Sequence, residues 1–384
     1  MPRRVGVVTV GRSDYGHLRP LLEAIRARGL DLLLYAAASH LSPRFGETVR
    51  EIEADGWPIA ERVPVPLEVD TPEAIARATG AGVGAFAAAF ARSRPDLLVL
   101  LGDRFEMLSA ALAALPATIP LVHLHGGEVT EGAFDDQIRH ALTKLAHLHC
   151  AATERSAQRI RQMGEEPWRV HCCGAPGLDR LRGSARLSRD ELARRLALPL
   201  RRPTLLVTFH PVTLEHEDTA WHVAELVGAL AVTEGDLVLT YPNADTAHGQ
   251  IIAGLSRLAE TRPGTALVRA LGDDVYCSLL READAMVGNS SSGIIEAPTF
   301  ELPVVNLGSR QRGRERAANV VDVGQAREEI RAGIARALDP GFRRALAGLV
   351  NPYGDGAAAP RIARVLEEVE LGRRLLEKRF VDAP

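Results

Sequence analysis

Short, almost wholly apolar runs recur along this chain, each ending in glycine or polar residues and each followed by a longer amphipathic stretch. In the first half they are "RVGVVTV", "DLLLYAAAS", "PDLLVLLGD", "PLVHLHGG", "HLHCAAT" and "RVHCCG"; in the second, "TLLVTFHP", "DLVLTYPN", "TALVRAL", "DAMVGNSSSG", "LPVVNLGS" and "NVVDVG". Such alternation is the pattern of βα units built around a parallel sheet. Two series of this kind predict two α/β domains. In open α/β sheets ligands bind at the carboxyl ends of the strands, so the polar residues that follow each run are the ones to weigh.

At 384 residues the chain exceeds the size at which a single core stops growing, which agrees with two domains. The expected division is 1–180 for the first domain and 181–365 for the second, with 366–384 as a closing helix. The arginine-rich stretch 177–203, with few strand signals and a proline stop, reads as the connection. The alanine-rich "TGAGVGAFAAAFARSRP" and the closing "PRIARVLEEVELGRRLLEKRF" read as helices.

With 46% hydrophobic and 25% charged residues and a net charge of -3, the chain lacks the composition of a disordered protein and the basic excess of a nucleic-acid binder. The N-terminal apolar run stops at Gly11, too short to span a membrane, so a cytoplasmic protein with no membrane or nucleic-acid partner is expected. The four cysteines, Cys150, Cys172, Cys173 and Cys277, lack metal-ligand spacing and are expected as buried, reduced thiols.

Several strand ends carry residues fit for chemistry. "VTVGRSDYGHLRP" leads a strand through a glycine turn to Arg12 and Asp14, an arrangement suited to an anion. Asp103 and Arg104 follow "LLVLLG" directly and either cap the next helix or face a ligand. In "VGNSSSGIIEAP", Asn289 is followed by Ser290, Ser291 and Ser292, whose hydroxyls and backbone N–H groups suit a diphosphate, and Glu296 suits a ribose. Arg310, Arg312 and Arg314 offer a further phosphate contact, His210 ends the first strand of the second series, and Asn243 and Asp245 follow the next. The stretch "LVHLHGGEVTEGAFDDQIRHALTK" gathers three histidines and several carboxylates, which suit a metal site, an acid/base site or a plain polar loop. Phosphate-gripping features without a Walker lysine loop or a dinucleotide fingerprint point to a nucleotide-sugar enzyme with two Rossmann-like domains facing a cleft, of the glycosyltransferase-B type.

Taken in order, "GRSDYG", "GDRFEML", "HGGEVTEGAFDDQIRHALTKLAHLH", "FHPVT", "YPN", "GNSSSG" and "NLGSRQRGRE" resemble the UDP-hydrolysing UDP-N-acetylglucosamine 2-epimerases, from about Val5 to about Val323. The resemblance implies elimination of UDP to a 2-acetamidoglucal, then hydration to the free 2-epimer, without a redox cofactor. It also implies acid/base residues in the first domain, UDP held mainly by the second, and a homo-oligomer, dimer or tetramer. By motif position Asp103 and Asp135 match the family's acidic catalytic residues, and Arg104 and Glu296 match nucleotide ligands. Arg12, His210, Ser291, Ser292 and Arg310 suit the charge that grows on the departing diphosphate. The sequence departs from the family where its motif reads "HIEGGE", since here "HLHGGE" places His125 at the glutamate position; an imidazole can still move protons near neutral pH. A glycosyltransferase of the same fold, a metal-dependent hydrolase built on His123, His125, Glu128, Asp135 and His140, and a silent sugar-nucleotide sensor are the rival readings.

Overall fold

The computed structural model of the protein describes residues 2–67, 71–131, 134–242, 247–269 and 271–382. The chain forms two compact units, Met1–Glu128 with Asp135–Arg182 and Tyr353–Pro384 in one, Val129–Phe134 with Gly183–Pro352 in the other.

The first unit holds a seven-stranded sheet of β1 (Arg4–Thr9), β2 (Asp31–Ala37), β3 (Ile59–Val63), β4 (Leu97–Leu101), β5 (Leu121–Leu124), β6 (Leu148–Ala151) and β7 (Val170–Cys172). Its order is β3-β2-β1-β4-β5-β6-β7, and every pairing is parallel. Successive strand residues go to opposite faces. Val5, Val7, Leu97 and Val99 pack in one core; Val8, Leu98 and Leu100 pack in the other. Burial on both faces is why these strands read as unbroken apolar runs. β3, "IAERV", was not among the expected strands; it lies at the sheet edge, where Glu61 and Arg62 reach outward to ion-pair with Arg92 and Glu53.

The second unit repeats the design with β8 (Thr204–Thr208), β9 (Asp236–Thr240), β10 (Thr265–Val268), β11 (Ala285–Gly288), β12 (Val304–Leu307) and β13 (Val320–Val323), ordered β10-β9-β8-β11-β12-β13 and again parallel. Gly288 shows why its side chain is missing: with φ +138 and Thr208 O only 1.9 Å from where a Cβ would stand, β11 could not pass β8 with any other residue.

Three expectations need correction. The first boundary falls at Arg182/Gly183, two residues beyond the one read from the sequence, and the chain rejoins the first unit at Tyr353 instead of adding a separate closing helix at 366. Asp179 explains the return: its two carboxylate oxygens accept the N–H groups of Ala358 and Ala359 at 2.9 and 2.7 Å, capping the helix Ala358–Glu368 against the helix Arg12–Ala27. The cysteines are free, but Cys172, on the edge strand β7, is exposed while the other three are buried. Among the described residues one helix, Pro72–Arg92, is long and apolar enough to cross a membrane by composition; here Phe86, Ala89 and Phe90 on it join the first unit's core.

Candidate functional site

Each sheet reverses its strand order once, between β1 and β4 in the first unit and between β8 and β11 in the second. Loops diverge at such switch points and leave a crevice at the strands' carboxyl ends. Of the described residues singled out from the sequence, Arg12, Asp14, Asp103 and Arg104 lie at the first, His210 and Ser290 to Ser292 at the second, His125 in the loop after β5, Asp135 at the start of the helix that follows, and Arg310 after β12.

At the first switch point β1 runs through Gly11 into the helix Arg12–Ala27, so Arg12 begins the helix instead of preceding it. Arg12 is exposed and lies 3.9 Å from Glu51. Asp14 is buried, its Oδ2 accepting the Val10 N–H at 2.7 Å and the Thr9 hydroxyl at 3.0 Å. Burial pushes its carboxyl up to about 6, partly offset by those two donors and the nearby Arg104 charge. Thr9 also meets His40 Nε2 at 2.9 Å; burial holds that ring down to about 4, so it is neutral near pH 7.

Across the switch point, Asp103 does not cap the helix Phe105–Ala114, since Arg104 stands at the cap position and no side chain caps it. Instead Asp103 receives the Arg139 guanidinium, which is itself buried and lies 3.5 Å from Asp136. Arg104 forks onto the fully buried Glu106 through Nε at 3.2 Å and Nη2 at 3.1 Å.

The three histidines of the β5 loop and the following helix go separate ways. His123 is buried, 2.7 Å from the Gly102 carbonyl and 3.3 Å from the Thr143 hydroxyl, and burial holds its ring down to about 3, a structural role. His125 leaves the strand with φ +60, a left-handed backbone rare in residues other than glycine, and its Nδ1 lies 2.5 Å from Glu128 Oε1. His140 sits 3.5 Å from Asp136 on the helix Asp135–Leu145, whose first residue, half-buried, is Asp135. Among the described residues no three His, Cys, Asp or Glu side chains come together as a metal-binding set.

In the second unit Asn289 is the joint. Fully buried at the end of β11, its side chain accepts the His210 N–H at 2.7 Å and donates to the His210 carbonyl at 2.8 Å. Its own carbonyl takes Gln311 Nε2 at 2.9 Å and Arg310 Nη1 at 3.4 Å. One residue thus fixes the loops after β8, β11 and β12. His210 is buried, and burial, reinforced by the Arg310 charge, holds its ring well below the usual imidazole range; it is a neutral group and not a cation. Ser290 caps the next turn through the Ser292 N–H at 3.3 Å, and Ser292 bridges Tyr276 (2.6 Å) to the buried Glu296, which lies at the end of the short helix Ser291–Ile295. Ser291 is half-buried, and its hydroxyl has no partner among the described residues.

Sequence reasoning passed over Arg139, Gln311 and Tyr276. Arg139 lay in the helical pattern "DDQIRHALTK" with nothing to mark its partner. Arg312 lines a cavity of about 660 Å³ with Gly308, Arg316, Asp322, Glu329 and Arg336. Asn243 and Asp245 lie outside the described residues.

Known proteins share both sequence and fold. The profile of the UDP-N-acetylglucosamine 2-epimerase family matches residues 23–367. The hydrolysing UDP-N,N'-diacetylbacillosamine 2-epimerase of Legionella pneumophila is 37% identical over 98% of this chain and 99% of its own. A GDP/UDP-N,N'-diacetylbacillosamine 2-epimerase (hydrolysing) of Campylobacter jejuni is 38% identical over 83% of this chain and 84% of its own. Among solved structures, the Neisseria meningitidis UDP-GlcNAc 2-epimerase bound to UDP-GlcNAc superposes with a TM-score of 0.79 at 18% identity, covering 94% of this chain and 99% of that one. The chain belongs to the UDP-N-acetylglucosamine 2-epimerase family.

Proposed function

We propose that this protein is a hydrolysing 2-epimerase that converts a UDP-linked 2-acetamido sugar into UDP and the free 2-epimer, with a 2,4-diacetamido sugar of the N,N'-diacetylbacillosamine type as its preferred substrate. The observation that carries this reading is 37% and 38% identity, over 98% and 83% of the chain, to relatives named for that activity.

In the reaction the C2 proton is removed, the C1–oxygen bond breaks, and UDP leaves with the bonding electrons. Water then adds across the glycal, its oxygen at C1 and a proton at C2 on the opposite face. The C2 proton is not acidified by a carbonyl, so a positioned base is needed. His125, Asp103 and Asp135, all at strand or helix ends of the first unit, are assigned these transfers, and carboxylates there also suit positive charge developing at C1. Arg139 holds Asp103 in place.

The second unit is assigned the nucleotide. Ser290, Ser291, Ser292 and Arg310 offer hydroxyl and guanidinium donors to the diphosphate, and the Asn289 joint keeps them in register. Glu296 is assigned the ribose hydroxyls, and the neutral His210 is a hydrogen-bonding group toward the leaving diphosphate. Arg12 and Arg104 in the first unit are assigned phosphate contacts, with Arg104 steadied by Glu106.

A glycosyltransferase of the same fold needs an acceptor, whereas a hydrolysing epimerase needs only water. Incubation with UDP-linked 2-acetamido sugars and no acceptor should release UDP. If none of a panel of such sugars yields UDP under conditions where the protein binds UDP, the assignment is wrong.

A further inference from the structure

We propose that Glu128 is a positioning residue that sets the proton on Nδ1 of His125 and leaves Nε2 as the nitrogen that exchanges protons with the sugar. The inference rests on the reading of His125 as an acid/base group given above.

Four consecutive residues, "HGGE", are folded so that the last returns to the first. His125 adopts φ +60, with its N–H on the Cys150 carbonyl at 3.3 Å, so the chain turns sharply as it leaves β5. A non-glycine residue held in this region is strained, and the surrounding structure must offset that strain. The surroundings do so by packing the two glycines from both sides. A Cβ on Gly126 would stand 2.8 Å from His123 Nδ1 and 3.1 Å from Thr143 Oγ1. A Cβ on Gly127, at φ +74, would stand 2.3 Å from the Ser156 carbonyl. The Gly127 carbonyl is taken by Arg159. With the turn fixed at both glycines, Glu128 is carried back against the imidazole.

Glu128 is 3% exposed and the His125 side chain 14%, so the 2.5 Å contact between them is shielded from water. A surface pair would be loosely held and of little consequence; a shielded one is directional. A carboxylate only accepts, so the shared hydrogen belongs to Nδ1 and the lone pair of the neutral ring lies on Nε2. A ring held this way keeps one tautomer and one orientation through both proton transfers, which a lone histidine at φ +60 would not.

The test uses the full chain labelled with 15N-histidine, the His125 resonances being identified by their loss in His125→Ala. The ring in the unsubstituted enzyme should show the Nδ1–H tautomer when neutral. In Glu128→Gln that preference should be lost, kcat should fall about 100-fold, and UDP affinity should stay within about twofold. Glu128→Asp, which keeps an acceptor charge, should recover part of kcat. An Nε2–H tautomer in the unsubstituted enzyme overturns the proposal, as does a Glu128→Gln variant with normal kcat, or one whose kcat falls while the tautomer is unchanged. The tautomer of the unsubstituted ring is read without turnover and without a Glu128 variant. It therefore decides the pairing even if Glu128→Gln does not fold, and a protein with the expected tautomer that releases no UDP would fail the proposed reaction instead.

Discussion

Replacing His125 with alanine should lower kcat by about 10³-fold or more, because a positioned acid/base group contributes about 10²–10⁴-fold and this ring serves in two proton transfers. UDP affinity should be nearly unchanged, since His125 is not among the groups assigned to the nucleotide, most of which lie around the Asn289 joint in the second unit. Asp103→Asn should behave alike: it keeps the shape beside Arg139 but removes the carboxylate charge. A loss confined to kcat marks interactions made in the transition state, whereas a loss in KM alone would mark binding. Steady-state kinetics together with calorimetric titration of UDP separates the two. If His125→Ala turns over normally, its acid/base role is wrong, whatever the fate of the other residues.

The second large effect concerns stability. Glu165 is 1% exposed and collects Lys144 at 2.6 Å, Lys378 at 2.9 Å and His149 at 3.2 Å. Burial alone would push its carboxyl up, but hydrogen bonds from His149, Lys144 and Lys378 hold it down at about 2. Beside it the fully buried Arg169 donates to the carbonyls of His147 (3.1 Å), Leu375 (2.8 Å), Arg374 (2.9 Å) and Glu377 (2.9 Å), fastening the C-terminal segment to the first unit.

Glu165→Gln leaves two lysines beside a buried neutral group and should cost about 3 kcal/mol at pH 7, the usual cost of removing one partner of a buried ion pair. The sign of the pH dependence follows. A carboxyl whose folded pKa of about 2 lies below its ordinary 4.5 contributes in full above about pH 5 and loses that contribution as pH falls through 2. Urea unfolding of both proteins should therefore show a gap that shrinks by more than half between pH 7 and pH 3. A gap of the same size at both pH values would mean the effect comes from packing and not from the charge.

How far the sequence foretold this depends on the range of the interaction involved. Buried parallel strands announce themselves locally, because both faces must be apolar, and so the two sheets were legible. β3 was not, for an edge strand with outward Glu61 and Arg62 carries no such signature. The strand order, which brings β1 beside β4 and β8 beside β11, is a long-range fact that periodicity does not encode. Asp103 and Ser291 were visible as polar residues at strand ends. Arg139, 36 residues beyond Asp103, looked like one more helix charge until the fold joined them. Glu128 was visible as a loop carboxylate, yet its contact with His125 depends on a positive φ and on glycines packed against neighbouring elements, which composition does not reveal. Likewise Asp179, which draws the chain back at Ala358, acts across 179 residues.

The central claim is that the C2 hydrogen leaves and a solvent hydrogen replaces it, on the opposite face, as UDP departs. Mass spectrometry and NMR of the products from a UDP-linked 2,4-diacetamido sugar, incubated with the protein in deuterium oxide, test this directly. The account predicts free UDP and a free sugar of inverted C2 configuration carrying one deuterium at that carbon. A free sugar that retains its original C2 hydrogen and configuration would contradict it.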